Sequence, residues 1–379
     1  LLVDLTLSSG KNSVAIASLA VAVAMLVSVS IMVASFRTTM ESWIGNRLRA
    51  DLFVSPAARF IGNRAAVLPR GIAKKAARTD GVLAVDAFRT RKLPFRDWRI
   101  LLGAGDLRVV RDHGGLTFLR GKRRAVLDRA ISGGEVLVSE VFSNRFGLGR
   151  GDSLSLPAAA GPRKFRIAGV FYDYSTEGGL VILDRGLYRR LWKDDRVSTL
   201  AVYLRPGAEP ERVRSALAAS FGPGSGAAVF ENRRLRRHIL RVFDQTFAIT
   251  YALEGITLVV AVLGIVKALL TGVLDRTREI GLLWVIGFDR RQISRWVMGE
   301  AAAMGLLANV LGFLAGGVLA LILIFVINKQ SFGWTIQPHW PPWTVAGYCA
   351  LTLAAAVAAA LWPARVAAGV EIGEAVRFE

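Results

Sequence analysis

The segment DRTREIGLLWVIGFDRRQISRW, residues 275–296, is a short charged island between two long apolar runs. It sets Arg276, Arg278, Arg290, Arg291 and Arg295 against Asp275, Glu279 and Asp289, and a basic excess in a short loop beside apolar spans marks the cytoplasmic side of a membrane. Ile280, Leu283, Trp284, Val285 and Ile286 recur at helical spacing until Gly287 interrupts them, and a second helical run starts at Arg290. The expectation is a helix, a turn and a helix. Two readings stay open on the residues alone. One is a solvated connector whose charges orient the chain. In the other, the apolar side around Ile280 is buried in a partner groove while Glu279 and the arginines set its register. Gly281, with no side chain, would permit close approach in that second case.

Working outward, residues 247–273 and 297–327 are the apolar runs on either side, and residues 13–36 and 345–361 are two more. Each is long enough to cross a hydrocarbon core of about 30 Å at 1.5 Å per helical residue. The 247–273 run contains Glu254 and Lys267. A charge near the centre of a span costs about 2.5–3.5 kcal/mol on insertion scales, so an ionisable residue there is a functional candidate by default. Glu254 reads either that way or as an interfacial residue near the outer end, and Lys267 either that way or as a snorkelling anchor near the inner end. In the 297–327 run, Gly305, Gly312, Gly316 and Gly317 are available for close helix packing. The connection 328–344 holds one basic residue and three tryptophans, as expected at an outer interface. Residues 1–12 read as a cytoplasmic segment lying on the membrane or as a frayed end, and 362–379 as a cytoplasmic tail.

Between the first two runs, residues 37–246 change character and alternate short strands with helices. VLAVDAFRTRKLPF, KFRIAGVFYDY and TLAVYLR read as strands, and helices are expected to end at Gly147, to begin at Pro210 and to run from Asn232 into the second span. Asp173, Tyr174 and Glu177 form a polar and aromatic group that reads as strand-end turn chemistry or as a binding site. The fold class expected is an α-helical membrane protein with four transmembrane helices and a large mixed α/β extracytoplasmic domain between helices 1 and 2.

The 379 residues are 53% apolar and carry a formal charge of +20. Of the 49 Lys and Arg, 39 lie in 37–246, together with 20 of the 29 Asp and Glu. This excess is spread along the segment, with no basic helix interleaved with aromatics, so anionic head groups or a negative partner fit it better than nucleic acid. Cys349 stands alone, which excludes an internal disulfide. His113, His238 and His339 show no ligand spacing, so no metal site is expected. The phosphate-binding sequence G-x-x-x-x-G-K-[ST] is absent, which excludes ATP hydrolysis by that route. No catalytic residues are expected and no cofactor is expected on this chain.

The string R-x-R-E-I-G-L-L-x-x-I-G-x-x-R-R-Q-I at 276–293, with the ending W-P-A-R-x-A-A from Trp362, resembles the FtsX-like (MacB-type) permease family of ABC transporters. Trp284 and Phe288 depart from residues common in that family. The resemblance implies that 274–296 forms a coupling helix on an ABC ATPase, with Arg276, Arg278, Glu279, Ile280, Gly281, Leu282, Leu283, Gly287, Arg290 and Arg291 as the coupling residues. It implies that 37–246 is a MacB-like periplasmic domain, with 80–195 as an inserted subdomain. A dimer of separate ATPase subunits carrying ATP and Mg is then expected, with a second permease half or a homodimer, membrane lipids and a periplasmic protein as further partners. The location expected is the bacterial inner membrane. The opening on Leu1 fits the C-terminal half of a ten-span member; a four-span homodimer is the alternative. The function implied is transmission of ATP-driven motion for export or extraction of a lipophilic or lipoprotein-like substrate. A regulator of a periplasmic cell-wall hydrolase and an ATPase-independent sensor or binding domain are the alternatives.

Overall fold

The computed structural model describes residues 11–59, 65–222, 224–275 and 286–368. Its helices and strands alternate as the punctuation of the sequence dictates. Helix α1 (Lys11–Arg47) is followed by β1 (Leu52–Pro56), α2 (Ile72–Arg78), β2 (Val82–Phe95) and β3 (Trp98–Gly105). Then come α3 (Leu107–Asp112), α4 (Arg123–Ser132), β4 (Val136–Ser139), α5 (Glu140–Phe146), β5 (Ser153–Ala158) and β6 (Gly161–Phe171). Strand β7 (Leu180–Asp184), α6 (Arg185–Trp192), β8 (Thr199–Leu204), α7 (Pro210–Phe221) and β9 (Ala227–Glu231) complete this part, and α8 (Asn232–Asp275) leads out of it. After the charged island come α9 (Arg290–Ile322), a π-helical turn (Leu323–Ile327), α10 (Asn328–Phe332), α11 (Pro342–Ala359) and α12 (Leu361–Ala368).

The chain divides into two compact units. One comprises 39–243 and 328–335, and holds a single nine-stranded mixed sheet in the order β5-β6-β4-β7-β3-β2-β8-β1-β9. Strand β2 is its hinge in sequence: Val82 to Phe88 pair with β8, and Arg89 to Phe95 pair with β3. Pairs β3–β7 and β4–β6 are parallel, and the remainder are antiparallel. In β8, Leu200, Val202 and Leu204 are buried with Leu52, Val54 and Val82 against Ile72, Leu217 and Phe221 of α2 and α7. Thr199, Ala201 and Tyr203 alternate with them and face the other way, as the period of two requires. A separate core at the far end of the sheet collects Phe142, Phe146, Phe165, Tyr188 and Trp192. A buried ion pair ties β2 to the approach to β8: Arg89 Nε donates to Asp194 Oδ2 at 3.0 Å, and Tyr188 Oη donates to the same oxygen at 3.0 Å.

The other unit comprises 1–38, 244–327 and 336–379. Among the described residues, four helical stretches that lie mostly in it are long and apolar enough to cross a membrane by length and composition: Ile16–Arg47, Phe247–Thr271, Arg290–Phe332 and Pro342–Ala367. Three of the five glycines of α9 meet the neighbouring helices at close range. A Cβ on Gly312 would lie 2.6 Å from Val23 Cβ and 2.7 Å from the Ala20 carbonyl, and one on Gly316 would lie 2.8 Å from the Ala24 carbonyl. Gly305 faces Ala356 at 3.0 Å in the same sense, whereas Gly317 meets only Trp340, at 3.6 Å. Between α9 and α11, Thr352 Oγ1 donates to Asn309 Oδ1 at 2.9 Å, and Asn309 Nδ2 donates back to the Gly305 carbonyl at 3.0 Å.

The 328–344 connection differs from a simple interfacial loop. Trp343 is 88% exposed, but Trp334 is only 7% exposed and packs against Tyr174 in a tilted ring contact at 4.4 Å. Helical structure also continues past Trp362–Pro363, because α12 restarts at Leu361 and a proline in a first turn lacks only a donor that would have been unpaired.

Candidate functional site

Of the residues expected to couple to an ATPase, Arg276, Arg278, Glu279, Ile280, Gly281, Leu282 and Leu283 lie outside the described residues. Gly287, Arg290 and Arg291 are described and form one turn. Gly287 adopts φ 96°, a conformation that side chains rarely accept, and so sets the turn. Asp289 stands at the N-cap of α9, and its N–H donates to Gln292 Oε1 at 2.8 Å, the return arm of a capping box. Ile286 is 68% exposed and Phe288 41% exposed beside the two exposed arginines. The first turn of α9 has no acidic residue. Arg290 and Arg291 therefore sit where the helix dipole disfavours a cation by about 0.3–1 kcal/mol.

Ile293, one turn further on, is 1% exposed and packs with Val273 of α8, Val297 of α9 and Ala364 and Ala367 of α12. The turn is thus rooted among three helices through close-packed side chains. Lys267 is exposed on α8, and its carbonyl accepts from Thr271 Oγ1 at 2.9 Å. Glu254 lies on α8 without a described side chain.

In the sheet-bearing unit, the segment 328–335 is clipped to the start of α5. Glu140 is 4% exposed, and its carboxylate accepts from Thr335 Oγ1 at 2.8 Å and Thr335 N at 3.3 Å. Asn144 Nδ2 donates to the Gly333 carbonyl at 2.9 Å, and Asn328 Nδ2 donates to the Trp334 carbonyl at 2.8 Å. Burial pushes the Glu140 carboxyl above its ordinary range, and the Thr335 bonds pull it part of the way back. Nothing in the string NKQSFGWTIQP announces this clip, since Glu140 lies 195 residues away from Thr335.

Asp173 and Tyr174 are held together and Glu177 is not part of the group. Asp173 is fully buried and accepts from Ser175 Oγ at 2.7 Å, which is turn chemistry. Tyr174 lies between Trp43, at 5.6 Å, and Trp334. Glu177 is exposed.

Comparison with known proteins gives a consistent family. Residues 13–220 match the MacB-like periplasmic core domain, and residues 252–372 match the FtsX-like permease C-terminal domain. An uncharacterised ABC transporter permease protein of Mycobacterium tuberculosis is 31% identical over 98% of this chain, which spans 44% of that relative. A macrolide export ATP-binding/permease protein MacB of Rhodopirellula baltica is 32% identical over 35% of the chain and 18% of its own length. The crystal structure of the periplasmic region of MacB from Actinobacillus actinomycetemcomitans covers 52% of this chain and 95% of its own, with 13% identity and a TM-score of 0.39. Since the core-domain match alone covers more than half of the residues, the chain belongs to the FtsX-like, MacB-type family of ABC transporter permeases.

Proposed function

We propose that this chain converts ATP-driven closure of a separate ATPase dimer into motion of its sheet-bearing domain on the outer side of a bacterial inner membrane, and so extracts or exports a lipophilic or lipoprotein-like substrate. The observation that carries this reading is the turn at 286–293. It offers Ile286, Phe288, Arg290 and Arg291 outward and is rooted through Ile293 in three helices. An apolar pair flanked by cations is what a helix-in-groove contact with an acidic rim uses. ATP and Mg would be held by the ATPase, and this chain would supply no catalytic group. Only 7% of the apolar window of α8 is buried against 56% of that of α1, which favours a second permease half against α8, whether from this polypeptide or another copy. The basic excess of 37–246 supports a cargo or lipid surface with negative charge.

The test is ATPase stimulation after reconstitution with the partner subunit. Glu279→Ala, Gly281→Trp and the pair Ile286→Asp with Phe288→Asp should each leave the permease folded and inserted, yet return the ATPase to its basal rate. Undiminished stimulation in all three would remove the coupling assignment.

A further inference from the structure

The sheet-bearing unit contains a cavity of about 210 Å³ that the coupling turn does not use. It lies on the face of β1, β2 and β8 opposite the α2–α7 core, and is roofed by α3 and the end of α1. The strand alternation that buries Leu200 and Val202 on one side turns Thr199, Ala201 and Tyr203 into this space. Small residues make the room. Ala201 sits in register opposite both Asp86 on β2 and Phe53 on β1. A Cβ on Gly105 would come within 2.9 Å of Phe88 and 3.2 Å of Asp86 Oδ1. Phe53, Phe88, Leu107 and Ile182 supply the apolar wall.

Four polar side chains, those of Asp86, Tyr203, Arg47 and Thr199, line the same space. Asp86 is 7% exposed, and the one hydrogen bond to its carboxyl among the described residues is donated by Asp106 N to Oδ1, at 2.7 Å. Tyr203 contacts the ring of His113 at 5.5 Å, and its hydroxyl forms no hydrogen bond among the described residues. Arg47, at the end of α1, acts electrostatically on both Asp86 and Tyr203. A buried carboxyl with spare acceptor capacity in an apolar setting is costly unless something pairs with it. The bond to Asp106 N, which joins β2 to the cap of α3, accounts for Oδ1 and leaves Oδ2 facing the cavity. Convergent polar groups in a mostly apolar cavity are the ordinary make-up of a small-ligand site.

We propose that this cavity binds a small neutral amphipath whose head both donates, to Asp86 Oδ2, and accepts, from Tyr203 Oη and Arg47, with a compact aromatic or branched aliphatic body against Phe53 and Phe88. An amide or an alcohol on such a body meets that description. At about 30 Å³ per water of liquid volume the space corresponds to roughly seven waters, or about ten closely packed heavy atoms. A long acyl chain or a peptide does not fit. The site is independent of the coupling turn and stands or falls without it.

The probe is 4-fluorobenzamide, followed by fluorine NMR line broadening against the full chain in lipid nanodiscs at about pH 8.5, where the Asp86 carboxyl, pushed up to about 7 by burial, is ionised and accepts, with empty nanodiscs as the reference. The expected result is saturable broadening with a dissociation constant of about 1 mM or tighter, as ten heavy atoms allow. Ala201→Leu should abolish it by filling the space. Asp86→Asn keeps the acceptor for Asp106 N but replaces the second oxygen by a donor, and should weaken binding at least about tenfold. Tyr203→Phe removes a single hydroxyl, is the variant least able to disturb folding, and should weaken binding about three- to tenfold. The proposal is overturned if the wild-type chain gives no saturable broadening beyond that of empty nanodiscs. It is equally overturned if Asp86→Asn and Tyr203→Phe bind as the wild type does.

Discussion

Asp86 makes the sheet-bearing unit sensitive to pH in a direction opposite to the usual carboxylate. Burial pushes its carboxyl up to about 7, and the hydrogen bond from Asp106 N only partly offsets that. A folded value above the unfolded one, about 3.9, means that the folded state holds the proton more tightly. The stabilisation is therefore complete below about pH 4 and lost as pH rises through 7, an effect of up to about 4 kcal/mol for a shift of about three units. Hydrogen exchange, corrected for intrinsic rates, should show weaker protection of β2 and β8 at pH 8 than at pH 5, and Asp86→Asn should flatten that difference. Asp194 does not interfere in this window. Burial raises its carboxyl, but hydrogen bonds from Arg196, Tyr188 and Arg89 outweigh that and hold it well below the ordinary range. Its contribution is present above the unfolded value and is lost only in stronger acid. Arg196 would still bond Asp194 after removal of the Arg89 side chain, so Arg89→Met should destabilise the unit by about 1.5–3 kcal/mol in chemical denaturation, the worth of a hydrogen bond to a charged group.

At the scale of elements, the glycines of α9 differ in what they do, and the difference is measurable. Gly312→Leu must force α9 away from α1, since even a Cβ would stand 2.6 Å from Val23 and 2.7 Å from a carbonyl. Overpacking of this kind costs about 1–3 kcal/mol or more. Gly317→Leu meets only Trp340, at 3.6 Å. Thermal unfolding in nanodiscs should therefore drop by several degrees for Gly312→Leu and hardly move for Gly317→Leu. Element boundaries were legible where the punctuation is strong: β2 occupies VLAVDAFRTRKLPF, α7 runs from Pro210 to Phe221, and α8 starts at Asn232. Strand β3 was not legible, because WRILLGAG is buried along most of its length in the middle of the sheet and lacks alternation. Helix α3, at six residues, is too short to display a helical period. The string at 276–293 that carries the family resemblance is local and could be read from the chain alone. The cavity is not, since β1, β2, β8 and α3 meet there from distant sequence; its one sequence signal is a lone aspartate inside the apolar strand VLAVDAF.

For the whole molecule, orientation across the membrane decides which surfaces can meet an ATPase and which can meet cargo. By the positive-inside rule, five arginines in 275–296 against the single Lys329 in 328–344 would place the first loop inside and the second outside. The large 37–246 segment does not oppose this, because long domains translocate largely regardless of charge. The segment 328–335 belongs to the same compact unit as 39–243, bound there through Glu140 and Thr335, so whatever side the sheet occupies, this connection shares it. The two halves of the argument can be tested together. With Cys349 replaced by serine, a cysteine at Ser294 should be shielded from an impermeant thiol reagent in intact cells and react only after permeabilisation. A cysteine at Ser331, which is exposed, should be labelled at once. Labelling of Ser294→Cys with protection of Ser331→Cys would invert the topology, and the turn at 286–293 could then no longer be the surface an intracellular ATPase grips.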